Sequence, residues 1–97
     1  RAGVALHPVS EESAVADVLG KVVSGQADAG LVYVTDAKSA GDKVTGVPFP
    51  ESAEAVNSYP IAVLAEAQNP TVAQLFVDLV TSPDGRRALA EAGFATP

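Results

Sequence analysis

The sequence predicts an α/β fold, and three observations carry that expectation. The first is the stretch Ala27-Asp28-Ala29-Gly30-Leu31-Val32-Tyr33-Val34-Thr35-Asp36-Ala37, in which small residues lead into an apolar run that stops at a Thr-Asp pair. The run is too short for a membrane span and rich in Val, which suits a strand covered on both faces. The second is the amphipathic pattern just before it, with Val15, Val18, Leu19, Val22 and Val23 at helical spacing. The third is a second apolar run, Tyr59-Pro60-Ile61-Ala62-Val63-Leu64, followed by two further helical patterns. In open α/β sheets ligands collect at the carboxyl ends of the strands, and Tyr33 lies near such an end.

Taken in order, Val4-Ala5-Leu6 reads as a short strand closed by His7-Pro8. Ser10 or Ser13 is placed to cap a helix running from about Ala14 to Ser24. Lys21 suits its last turn, and Gly25 supplies a left-handed terminus. The strand through Tyr33 follows, and Lys38 to Lys43 reads as a polar, turn-rich loop. Val44-Thr45-Gly46-Val47 is a strand candidate that Pro48 and Pro50 push to an edge. Glu51 to Ser58 reads as a polar loop. Asn69-Pro70 and Ser82-Pro83 are both a cap followed by Pro at the first helical position, so two helices are expected to meet at Thr81-Ser82. The first carries the stripe Val72, Leu75, Phe76, Leu79 and Val80. The second carries a smaller face of Ala88, Leu89 and Ala92 before Gly93-Phe94.

Composition narrows the function. Ninety-seven residues with 47% hydrophobic and 19% charged side chains make at most one globular domain, with core enough to fold but little to spare. A formal charge of -6 argues against nucleic acid or an acidic membrane surface as partner. Without Cys there is no disulfide, thiol nucleophile or zinc-thiolate site, and no stretch reads as a signal peptide, lipid anchor or membrane span. The chain opens on Arg1, which suggests a processed or excised piece.

No catalytic constellation is legible. His7 is the single His, with no elbow serine or carboxylate pair beside it, and there is no phosphate loop or metal-ligand spacing. Asp28 and Asp36 flank the central run, but along a strand at about 3.3 Å per residue they stand roughly 26 Å apart. Each is expected to serve a turn instead, with Asp36 bonding neighbouring backbone amides. Arg86 and Arg87 read as a solvated helix face. The amino end of the first helix, near Ser13, Ala14 and Val15, is different in kind. Its backbone N–H groups sit at the positive end of the helix dipole and accept an anion without any charged side chain, although Glu11 and Glu12 oppose this.

The blocks Gly25 to Ala37, with the pattern G-x-A-D-A-G-x-V-Y-x-T-D-A, then Tyr59 to Leu64, then Gly93-Phe94, closely resemble the carboxyl-terminal part of molybdate-binding proteins of ABC transporters. Their order and spacing match over essentially the whole chain. The resemblance implies the carboxyl-terminal portion of a type II periplasmic binding protein fold, a mixed sheet flanked by helices. Residues 1–35 would come from the second lobe, and residues 36–97 would form the hinge near Thr35-Asp36 and the end of the first lobe, so the chain is one incomplete domain. It implies an extracytoplasmic location, periplasmic or membrane-anchored at the cell surface, and a membrane permease as partner. There is no catalysis and no cofactor or bound metal ion in this reading. Molybdate or tungstate is held as a tetrahedral oxyanion, with the Tyr33 hydroxyl and the Val15 backbone N–H among its contacts.

Such an ion can be held by uncharged donors alone, so the lack of a basic cluster near Tyr33 is compatible with this reading. The alternatives are a sulfate or other oxyanion receptor, and an effector-binding domain of a transcription regulator. Family members are more than twice this length. The chain by itself is therefore expected to bind weakly, to leave the stripe through Val72, Phe76 and Leu79 uncovered, and to form a homo-oligomer or an element-swapped dimer.

Overall fold

Four helices account for the regular structure in the computed structural model, which describes residues 3–96. They are α1 (Val15–Val23), α2 (Val34–Ser39), α3 (Pro70–Thr81) and α4 (Pro83–Ala92), with short 3-10 segments at Gly41–Lys43 and Pro50–Ala55. The chain divides into two units, one ending at Val56 and the other starting at Asn57. The first holds α1 and α2, and the second holds α3 and α4.

The α1 helix forms within one residue of the span its periodicity predicts. Val15, Val18, Leu19 and Val22 are half-buried, while Val23, at the edge of the stripe, is exposed. This face meets the backbone at Gly30: a Cβ there would come within 2.6 Å of Val18 Cγ1 and 3.2 Å of Val22 Cγ2. Only a residue without a side chain lets the following segment lie this close, because valine at χ1 cannot swing aside freely. The helix ends on Gly25 at φ 78°. The amide of Gly25 donates to the Val22 carbonyl (3.1 Å) and that of Gln26 to the Lys21 carbonyl (2.8 Å), the paired bonds of a Schellman motif. The amino end departs from expectation. Neither Ser10 nor Ser13 caps it; Ala14 is the N-cap and no side-chain oxygen serves this end.

The sheet is the main correction. No strand is present among the described residues, so the segments at residues 4–6, 27–34, 44–47 and 59–64 do not form the expected mixed sheet. A strand exists through ladder hydrogen bonds to a neighbour, and the backbone bonds found outside the helices close local turns only, the widest linking the Ala27 amide to the Lys21 carbonyl. Part of the expected central strand is helix instead. Val34, Thr35 and Asp36 open α2, because the Asp36 carboxylate accepts the Tyr33 N–H at 3.0 Å and so serves the end of the helix. Ser39 Oγ donates to the Asp36 carbonyl, and Gly41 (φ 61°) follows the last turn, so the first two residues of the expected polar loop at 38–43 belong to α2. The α2 helix packs beside α1. Likewise, much of the expected loop from Glu51 is a 3-10 segment that Pro50 starts.

The carboxyl-terminal helices follow their punctuation closely. Pro70 and Pro83 each occupy the first turn, and Ser82 joins the two helices. The Ser82 Oγ accepts the Gly85 N–H at 3.2 Å, a side-chain cap, whereas Asn69 makes no such bond at the start of α3. Gly85 is packed so tightly that a Cβ would lie 2.2 Å from the Val80 carbonyl oxygen and 2.3 Å from that of Leu79. The α4 helix ends at Gly93, φ 104°, where the Phe94 amide reaches back to the Leu89 carbonyl. Phe94 then stands edge-on to Tyr59, ring centroids 6.0 Å apart, tying the two ends of this unit together.

Contrary to the expectation of a modest core, no described residue is buried. The accessible surface is 8176 Å², whereas two separately folded units of this total mass expose about 6,200 Å² together. Without a sheet, the helices have nothing to cover. On α3, Ala73, Val77 and Val80 are half-buried, while Val72, Leu75, Phe76 and Leu79 are each about 60% exposed, as expected for the uncovered stripe.

Candidate functional site

Val15 is the first residue of α1, and its side chain is half-buried. The N-cap Ala14 is extended (φ -129°, ψ 137°), and its carbonyl accepts the Asp17 N–H at 3.1 Å. This turn therefore presents its leading amides at the positive end of the dipole, with no side-chain oxygen satisfying them.

Tyr33 is the N-cap of α2, with extended backbone and a half-exposed ring. It lines a cleft of about 490 Å³ in the first unit, together with Val32, Lys38, Val44, Phe49 and Ser52. The cleft is mostly apolar, and Ser52 spends its hydroxyl on the Phe49 carbonyl (2.6 Å). Val15 is not among its lining residues. The two predicted contact residues thus start neighbouring helices of one unit, each at an amino terminus.

Of the two acidic residues ahead of α1, Glu12 is held by partners. Glu12 forms an ion pair with Lys21 from the last turn of the helix. Ser10 Oγ donates to Glu12 Oε1 at 2.6 Å, and Lys21 Nζ donates to Ser10 Oγ at 2.6 Å. The Lys21 hydrogen bond, the Ser10 hydrogen bond and the Lys21 charge together hold the Glu12 carboxyl below its ordinary range. Sequence reading placed Lys21 in the last turn but not in this contact, because eleven positions along the chain separate it from Ser10. No local spacing rule reaches that far.

The remaining candidates resolve as structural. Asp36 is spent on the Tyr33 amide, and since it lies in a helix, no single strand links it to Asp28. Arg86 Nε donates to the Thr81 carbonyl at 3.0 Å, which serves the end of α3, and Arg87 pairs with Asp84 one turn earlier. His7 is exposed in a segment without regular structure. Among the described residues no three His, Cys, Asp or Glu side chains are grouped to hold a metal ion.

Comparison with known proteins identifies the family. Residues 3–95 match the family described as bacterial extracellular solute-binding protein. The chain is 58% identical over 95 residues to the molybdate-binding protein ModA of Mycobacterium bovis and to those of two Mycobacterium tuberculosis strains, CDC 1551 and H37Rv. The match takes in 98% of this chain and 36% of each relative, so the chain spans about a third of their length. No solved structure matches it significantly. A match along nearly the whole chain shows the family: these residues belong to the bacterial extracellular solute-binding proteins.

Proposed function

We propose that this chain is part of the solute-binding component of a molybdate importer of the ABC type. It acts outside the cytoplasmic membrane and hands its ion to a membrane permease. The observation that carries this reading is the 58% identity, along almost the entire chain, to proteins named for binding molybdate. No helix among the described residues is long and apolar enough to cross a membrane. In the type II periplasmic binding fold, residues 1–35 belong to the second lobe, and residues 36–97 form the hinge and the end of the first. The strand-like segments complete a mixed sheet only alongside the rest of such a protein.

The ion, molybdate or tungstate, is held as an oxyanion. The Val15 N–H and the Tyr33 hydroxyl are two of its donors, and the uncapped end of α1 supports the first assignment. Discrimination then rests on cavity size and on how many fixed donors are left unpaired by the wrong ion. These 97 residues alone offer too few donors to replace an ion's hydration, so they bind weakly or not at all.

Calorimetry on the complete polypeptide that carries this chain tests the reading. Molybdate and tungstate are expected to bind tightly and sulfate poorly; tight sulfate binding without molybdate binding would sink it. Tyr33→Phe removes one hydrogen bond to a charged ligand and is expected to weaken molybdate binding by about 10- to 100-fold.

A further inference from the structure

The Ser10–Glu12–Lys21 cluster is a contact that the proposed function has not used. Bonds such as Gln74–Asp78 and Ser39–Asp36 stay within one helical turn, but Lys21 reaches back from the last turn of α1 to the segment that enters it. The cluster is closed. Lys21 Nζ donates to Ser10 Oγ (2.6 Å), Ser10 Oγ donates to Glu12 Oε1 (2.6 Å), and Lys21 and Glu12 are ion-paired. Both charged side chains are substantially covered, 34% exposed for Lys21 and 21% for Glu12, so the pair is less screened than a free surface pair.

Its position gives it a task. Glu12 lies three residues before Val15, so chain reach puts it within about 11 Å of the amide proposed to meet the anion. That is somewhat beyond one Debye length at physiological salt, about 8 Å, but well inside the roughly 30 Å of 0.01 M salt, so an uncompensated carboxylate there would act on a doubly charged ligand most strongly at low ionic strength. Glu11 is exposed and turned to solvent, where water screens it.

We infer that Lys21 is a positioning residue for oxyanion binding: it holds Glu12 in a closed cluster with Ser10 and cancels the negative charge that would otherwise face the amino end of α1. This rests on the reading of Val15 as an anion donor. Lys21 does not touch the ion. It works through Glu12, so the predicted phenotypes of the two residues have opposite signs.

The experiment is a double-mutant cycle in the complete polypeptide, read by calorimetry with sodium molybdate at low and high salt. Thermal unfolding without ligand is run alongside. Lys21→Met leaves Glu12 uncompensated and is expected to weaken binding roughly tenfold, with the loss shrinking as salt rises. Glu12→Gln is expected to keep the affinity or raise it slightly, because it frees a cation near the site. The double variant is expected to return to wild-type affinity, and Lys21→Arg to retain it. If Lys21→Met binds like wild type, the inference fails while the site stands. If Lys21→Met, Glu12→Gln and the double variant all lose affinity alike, the cluster is only a structural brace and the inference also fails. Should Lys21→Met not fold, Glu12→Gln still decides, since a tenfold loss there contradicts the expected sign. A wild-type protein that does not bind molybdate overturns the proposed function itself, and the inference with it.

Discussion

At the scale of single residues, close approach and charge pairing set the sharpest expectations. Gly85 sits where any side chain would strike the carbonyls of Leu79 and Val80. Gly85→Ala is expected to cost about 1–3 kcal/mol, because the obstacle is backbone and cannot rotate away. Circular dichroism during chemical unfolding would show it as an earlier loss of helix, and an unchanged curve would contradict the packing. Glu12 gives a pH dependence of known sign. Its folded-state carboxyl is held below the ordinary value of 4.5, first by the Lys21 hydrogen bond and then by Ser10. The stabilisation is therefore fully present above that value and is lost as pH falls through the lower, folded-state one. A carboxyl-detected NMR titration should find the Glu12 midpoint depressed in the native chain and moved back up in Lys21→Met. Neither the Gly85 contact nor the Lys21 contact was legible in the sequence. One depends on the angle between two helices, and the other on a side chain crossing eleven positions.

Local punctuation decides the helices. The Asn-Pro and Ser-Pro pairs, the stripes at helical spacing and the glycines at 25 and 93 place α1, α3 and α4 almost to the residue, because each signal acts through backbone groups a few positions away. Ser82→Ala is expected to destabilise α4 by about 1 kcal/mol, through loss of the bond to the Gly85 amide, measurable as reduced helicity. The α2 helix was missed although its signals were present. Asp36 at its third position, Lys38 in its last turn and Gly41 just beyond it outline a helix, but the Val-rich run before them reads as strand. Apolar content marks burial without marking where pairing stops. On α3, Leu75→Gln with Phe76→Gln is expected to leave helix content nearly unchanged, since these side chains are already exposed. A large loss of helicity would mean that this face is packed after all.

For the whole molecule, the controlling fact is the absence of a buried residue among those described. Burying a Leu or Phe side chain stabilises a fold by about 1.5–3 kcal/mol, and here Leu75, Phe76, Leu79 and their neighbours realise little of it. The 97-residue chain by itself is expected to self-associate at micromolar concentration through these faces, and the double glutamine variant of α3 to do so less. Multi-angle light scattering would check both, and a strictly monomeric wild-type chain would count against the idea. In the longer relatives, about two thirds of the polypeptide lies outside the matched region, which is ample to supply what these helices lack.

The sequence by itself determined the local part of this protein: where three of the four described helices begin and end, which faces are apolar, and, through the order and spacing of the blocks at residues 25–37, 59–64 and 93–94, the family to which it belongs. Those features act over a few residues or are carried by residue identity, so they need no partner to be read. Whether the apolar runs pair as strands, which glycines admit a neighbouring backbone or side chain, and where the Glu12 charge is cancelled were decided only by tertiary structure. Each of these depends on groups distant in the chain arriving at one place, and a strand in particular has no existence apart from the neighbour that completes its hydrogen bonds.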